Sequence, residues 1–335
     1  DHQLTFQYIT NPEHPSKVTV LGLGYHIPLY AQGDSIDLIL GYSDVDSGTL
    51  NQLFIVSGAG TVALGRYNQN LSRIEDYEHK ITYGIDYKAF SNKVTTLTGS
   101  PLVPDITLHP VSVTYSGSWR KDVTDLGFYA GLTYHPFPGG NDNAPSNFKA
   151  SRGCTNGTDT PEPTCVTGAT AEYTIWRFGG NYLRLLPKDW SVRAAFSGQL
   201  TRNALVAGEQ FGVGGANSVR GFNERAYSND RGYQATFEIY TPNLAPKIGF
   251  EGANLKLLAF YDTGTLGRNF IQPGEQTGLS IDSIGLGLRF TFREKLSLRL
   301  DYAQVKHDGG QDPNQTIPDG RRNSNTLHGL VQLVF

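Results

Sequence analysis

Arg220, Glu238 and Asp262 are the residues of this chain whose types and spacing could do chemistry together. Arg220 lies in Val219-Arg220-Gly221-Phe222, inside a polar segment rich in Gly, Asn and Ser that covers about residues 202–231. A connection this long between strands is functional or disordered as a rule. Its arginine stands between apolar Val219 and Phe222, which predicts a packed tip rather than a solvated one. Glu238 and Asp262 fall in the next two strand-like runs. In residues 236–240, Phe237 and Ile239 face one way and Glu238 the other. In residues 256–262, Leu257, Ala259 and Tyr261 share a face, which leaves Lys256, Phe260 and Asp262 opposite. A guanidinium keeps its charge and grips carboxylates with a planar fork. The chemistry open to these three residues is therefore an ion-paired dock for the loop. The alternative is a pair of ordinary solvated carboxylates.

The elements that must position them read as strands. The chain has 335 residues, 38% hydrophobic content, 39 glycines and 11% aromatics. No apolar run approaches the roughly 20 residues of a transmembrane helix. No signal peptide opens the chain, which starts at Asp1-His2-Gln3, and no Met occurs in it; both point to a processed or partial product. Many short alternating segments are separated by Gly, Asn and Asp turns, as in a barrel or sandwich. Ile284, Leu286, Leu288, Phe290 and Phe292 oppose Gly285, Gly287, Arg289 and Thr291. Leu296, Leu298, Leu300 and Tyr302 oppose Ser297, Arg299 and Asp301. One apolar stripe and one small or polar stripe over about ten residues fit a tilted membrane strand. Soluble sandwich strands are nearer five or six residues. A charge on the lipid side at mid-bilayer would cost up to about 2–4 kcal/mol, so Glu238 and Asp262 are expected to face the lumen.

Strand-like runs cover residues 2–9, 16–29, 34–44, 53–71, 76–92, 107–120, 124–137, 172–185, 190–203, 232–242, 254–266, 279–292, 295–306 and 324–335, about fourteen in all. Short turns such as 187–189 and 293–294 alternate with long loops near 137–171, 202–231 and 307–323, the asymmetry of an outer-membrane barrel. Residues 1–335 are read as one all-β unit, a transmembrane antiparallel up-and-down β-barrel domain. Leu327, Val331, Leu333 and the terminal Phe335 share a face, which resembles the terminal signature of bacterial outer-membrane proteins; an edge strand that merely ends in Phe is the alternative.

Other chemistries find little support. Cys154 and Cys165 are the only cysteines, both in the 137–171 loop, and a small disulfide follows if that loop faces an oxidising space. Two thiols with no nearby His do not make a metal site. The eight His residues are scattered and show no HxxxH or HExxH spacing, so no catalytic set, metal or cofactor is assigned. With a net charge of −3, electrostatics do not argue for a nucleic-acid partner, and none is expected. A passive porin remains an alternative, although its constriction loop would carry ion-selecting charges.

Gly214-Gly215-Ala216-Asn217-Ser218-Val219-Arg220-Gly221-Phe222 resembles the loop motif of the POTRA–barrel outer-membrane superfamily, which includes the barrel-assembly insertase and the TpsB transporters of two-partner secretion. Residues 232–240 resemble the glutamate-bearing strand that follows that loop. Leu258-Ala259-Phe260-Tyr261-Asp262-Thr263-Gly264 resembles the aspartate-bearing strand after it. Val56-Ser57-Gly58-Ala59-Gly60 and Gly84-Ile85-Asp86-Tyr87-Lys88-Ala89-Phe90 look like TpsB barrels in particular. The resemblance implies a sixteen-stranded barrel with the motif loop after its eleventh strand. About nine runs precede the loop here and about five follow it. The first two strands and the POTRA domains are thus expected to be missing from this chain, or the chain is a fourteen-stranded relative. The implied function is passage of an unfolded secreted exoprotein, without cofactor, through an outer-membrane barrel whose partners are lipid, lipopolysaccharide and the assembly machinery. An insertase or assembly factor of the same superfamily is the alternative.

Overall fold

The computed structural model describes residues 1–10, 19–50, 54–91, 104–136, 142–152, 168–271, 276–293, 295–310 and 320–334. Cys154, Cys165 and Phe335 lie outside the described residues.

Alternating sequence becomes one continuous antiparallel meander. Its first part is β1 (Gln3–Thr10), β2 (Thr19–Leu29), β3 (Asp34–Leu50), β4 (Phe54–Asn70) and β5 (Tyr77–Ser91). The short β6 (Ile106–Leu108) pairs with β5 off the main path. The wall resumes with β7 (Val111–Lys121), β8 (Thr124–His135), β9 (Tyr173–Leu185) and β10 (Ser191–Leu200). After the long loop come β13 (Arg231–Tyr240), β14 (Ala253–Gly267), β15 (Gly278–Phe292), β16 (Leu296–Asp308) and β17 (Asn325–Leu333). The loop itself carries a small hairpin of β11 (Phe211–Val213) and β12 (Tyr227–Asn229). Each wall strand pairs with the next one along the path, which is up-and-down barrel order. All fourteen strand-like runs are present.

The alternation sorts side chains by face. Leu257, Tyr261, Ile284, Leu286 and Tyr302 project outward and are exposed, the pattern of a lipid-facing stripe. Phe260, Asp262, Ser283, Asp301 and Ala303 project inward and are buried. No helix among the described residues is long and apolar enough to cross a membrane. The short connections at 122–123, 186–190 and 293–295 lie at one end of the wall. Those at 136–172, 201–230 and 309–324 lie at the other. The end of β8 and the start of the Arg220 loop thus lie on the same side of the wall, because only the β9–β10 hairpin separates them.

Three boundaries differ from the sequence reading. The run at 107–120 breaks at His109-Pro110 into β6 and β7, because proline has no N–H for the ladder. The Pro110 carbonyl instead accepts from Asp86 N at 2.9 Å. β3 runs on to Leu50 rather than ending at Asp44, while β4 keeps to the expected run at 53–71, and both reach 17 residues. At 3.3 Å per residue that is about 55 Å of strand, more than the bilayer core needs, so the hairpin projects from the long-loop end. Finally, the 137–171 loop contains a six-residue helix, α1 (Pro145–Ala150), whose Phe148 is buried with Tyr173 and Ile175.

Candidate functional site

The loop between β10 and β13 folds inward, and its own sequence shapes the tip. The β11–β12 hairpin narrows the base through Phe211↔Asn229 and Val213↔Tyr227. Beyond it the chain turns tightly, with Ser218 N donating to Gly215 O at 3.1 Å and Gly215 N to Val219 O at 3.2 Å. Val219 and Phe222 are fully buried against Val213, Leu266, Ile281 and Val305. Burying side chains of this size is worth about 1.5–3 kcal/mol each, so the apolar neighbours seat the arginine. Gly221 has φ +100°, and a Cβ there would come within 3.0 Å of Val305 Cγ2. Glycine is required there both by the backbone conformation and by the closeness of the wall.

The seated guanidinium meets three strands. Arg220 Nε and Nη2 donate to Asp262 of β14 at 2.6 and 2.8 Å, and the Arg220 backbone N–H reaches the same carboxylate at 3.1 Å. Nη1 lies 2.9 Å from Glu238 Oε1 of β13, off the line of its N–H, as a charge contact rather than a hydrogen bond. Asp301 of β16 stands 3.6 Å from the same nitrogen. The guanidinium carbon lies 3.4 Å from the centre of the Phe260 ring, a cation–π stack. Phe260 can lie flat on the wall because Gly285 opposite has no side chain: a Cβ there would be 2.3 Å from the ring. The Arg220 side chain is only 2% exposed. Burial opposes its charge, but the hydrogen bonds to Asp262 and the fields of Asp262, Glu238 and Asp301 outweigh that and hold it firmly protonated.

Arginines in turn brace the carboxylates. Asp301 accepts from Arg289 Nη1 at 2.7 Å and from Arg299 Nε at 2.7 Å. Glu238 accepts from Arg193 Nη1 at 2.9 Å and from Tyr240 OH at 2.7 Å. Arg299 also reaches the loop, bonding Asn217 Oδ1 at 2.9 Å. The carboxylates are thus turned onto guanidinium groups. Among the described residues no three His, Cys, Asp or Glu gather to hold a metal ion.

A second anchor, absent from the sequence reading, pins the rising limb of the loop. Glu209 is fully buried between Lys88 Nζ of β5 at 2.7 Å and Arg177 Nη2 of β9 at 2.8 Å. On the descending limb Asp230 accepts from Leu205 N at 2.8 Å and Asn269 N at 2.7 Å, with Arg152 Nη1 at 3.3 Å. Burial pushes the Glu209 carboxyl upward, but the Lys88 and Arg177 charges and their hydrogen bonds more than offset it, holding it at about 2. A carboxyl held below its ordinary 4.5 contributes stability that is complete above that value. That contribution is lost as pH falls from about 4.5 toward 2. The loop of the unaltered protein should therefore become more protease-sensitive across this window, and a Glu209→Gln variant should have lost that step and be sensitive already at neutral pH. An unchanged acid profile in Glu209→Gln would remove the anchor.

Val219, Arg220, Gly221, Phe222, Glu238 and Asp262 are thus gathered at one inner-wall position. Asp301 joins them there, and Glu209 and Asp230 hold the limbs of the loop elsewhere; none of the three was singled out in the sequence. Asp301 carried a sequence signal, since it opposes the lipid stripe of its strand; nothing local marked the other two.

The family model described as haemolysin secretion/activation protein ShlB/FhaC/HecB matches residues 121–290. The heme/hemopexin transporter protein HuxB of Haemophilus influenzae is 24% identical over 141 residues, 40% of this chain and 24% of HuxB. Among solved structures, CdiB from Escherichia coli superposes with a TM-score of 0.68 at 16% identity, over 100% of this chain and 59% of CdiB. BamA from Haemophilus ducreyi lacking POTRA domains 1–3 gives 0.56 at 13% identity, over 98% of this chain and 64% of that one. The chain spans about a quarter of the length of HuxB and somewhat less than two thirds of the two solved structures. Both solved structures share its β-barrel fold.

Proposed function

The chain belongs to the haemolysin secretion/activation protein family ShlB/FhaC/HecB, an outer-membrane β-barrel family, and from that premise we propose that it secretes an unfolded partner exoprotein through its lumen. In this reading the loop bearing Arg220 is the resting plug. The observation that carries it is a 2%-exposed arginine on a loop tip, paired with two wall carboxylates on adjacent strands. A connection needed only to join two strands has no reason to place a charged tip inside the barrel. A buried ion pair is weak as a source of net stability but well suited to fixing one arrangement against others. Transport then amounts to moving the tip off the wall, and the chain needs neither nucleotide nor cofactor for it. HuxB, titled a heme/hemopexin transporter, supports a transport role but does not identify this chain's client. The surrounding lipid and lipopolysaccharide, and the machinery that inserts the barrel, are further partners we propose.

Deleting the gene in its native host separates this reading from the insertase alternative. The expected result is loss of a single large exoprotein from the medium, with other outer-membrane barrels at normal levels. A general loss of outer-membrane barrels with no missing exoprotein would favour the insertase.

A further inference from the structure

Gly221 is gripped by β17 on both of its peptide groups. Its N–H donates to His328 Nε2 at 3.0 Å, and its carbonyl accepts from Thr326 Oγ1 at 3.0 Å. Thr326 and His328 are two residues apart on one strand, so both side chains project to its lumenal face. Leu327 between them is 67% exposed on the opposite face. Their neighbours on β16 are Ala303 and Asp301. The small Ala303 side chain lets the tip come close: a Cβ on Gly221 would be 3.5 Å from Ala303 Cβ.

The grip depends on a proton. A ring nitrogen accepts a hydrogen bond only when it carries no hydrogen, so His328 must be neutral with its proton on Nδ1. Protonating Nε2 would set one N–H against another and add a cation beside Arg220. The charged groups facing the ring are Arg220 and Glu224 from the loop and Arg299 and Asp301 from β16. Neither carboxylate is idle: Asp301 serves Arg289 and Arg299, and Glu224 accepts from Ala216 N at 2.8 Å. An imidazolium here would have no carboxylate of its own to balance it.

We propose that Thr326 and His328 form a backbone clamp on the docked tip, and that protonation of His328 releases it, so that docking of the loop depends on pH. This rests on the loop being the resting plug. It gives β17 a positioning role beyond its ladder with β16, because the strand holds the motif glycine through backbone atoms that every substitution at Gly221 except proline retains.

The test uses the full-length protein in lipid bilayers, with single-channel conductance and protease cleavage of the loop read at about pH 7.5 and 5.5, either side of the ordinary imidazole range. Losing one hydrogen bond corresponds to about a tenfold change in the docked-to-free ratio, and the unaltered protein should show a rise of that order at the lower pH. His328→Gln supplies an amide oxygen as a non-titrating acceptor, so its free fraction should be flat with pH. Thr326→Val should raise the free fraction at both pH values and keep the slope. A His328→Gln protein with the unaltered slope overturns the clamp, and so does a flat profile in the unaltered protein, however the variants fold. Arg220→Ala reports on the plug separately. No effect of that variant removes the plug, whereas its expected effect combined with an unchanged slope in His328→Gln removes only the clamp.

Discussion

Replacing Arg220 with alanine should leave the barrel inserted, free the loop tip, alter conductance and reduce secretion sharply. The wall strands lose no ladder bond, because Arg220 contributes to none of them. The tip loses two side-chain bonds to Asp262, the charge contact with Glu238 and the stack on Phe260. Breaking a buried pair by removing one partner costs about 3–5 kcal/mol, since the remaining charges stay uncompensated. Arg299 and Arg289 still neutralise Asp301, and Arg193 still pairs with Glu238, so the unmatched charge falls on Asp262. Arg220→Lys should recover only part of the activity, because one ammonium cannot span two carboxylates as the fork does. Secretion at the normal level by Arg220→Ala would remove the loop from the mechanism.

Asp262→Asn should be nearly as damaging, and clearly worse than Glu238→Gln. Asp262 takes three hydrogen bonds from Arg220, one of them from its backbone, and is fully buried. Neutralising it leaves the guanidinium short of its closest counter-charge, again about 3–5 kcal/mol. Glu238 meets Arg220 at one nitrogen only and is also held by Arg193 and Tyr240. Glu238→Gln leaves Arg220 docked on Asp262, so the loss should be nearer 1–3 kcal/mol. The Arg220→Ala, Asp262→Asn pair should be strongly non-additive, because either change alone breaks the same contact. Conductance and loop proteolysis of the singles and the double measure this; additive losses would mean the two residues act separately.

The sequence carried the direction of each side chain but not the long-range partnerships. Alternation around Phe237 and Tyr261 was enough to turn Glu238 and Asp262 inward, because a lipid-facing charge is costly at every membrane strand. The same rule turned Asp301 inward, yet nothing in residues 296–308 says that a loop eighty residues earlier will dock there. Glu209 meets Lys88 across 121 residues, a contact set by the curvature of the wall rather than by any local pattern. Phe211-Gly212-Val213 is too short for a period to register, so nothing in residues 202–231 marks the β11–β12 hairpin. The break at Pro110 was available in principle, since a proline inside a strand-like run argues against continuous pairing. Alternation around Leu327 turned Thr326 and His328 inward, but nothing named their partner, which is a backbone and leaves no residue type to match.

The central claim is that the loop fills the resting lumen and must leave the wall for a client to pass. It is tested most directly by tying the loop down. A Cβ on Gly264 of β14 would lie 3.3 Å from Val213 Cβ on the loop, close to the roughly 3.5–4.5 Å of a disulfide. A Val213→Cys, Gly264→Cys protein, with Cys154 and Cys165 changed to Ser, can therefore be locked by oxidation and released by reductant. Secretion and pore opening should be blocked in the oxidised form and return on reduction, while the same treatment leaves either single-cysteine protein unaffected. Secretion at the same rate with the disulfide fully formed would contradict the account.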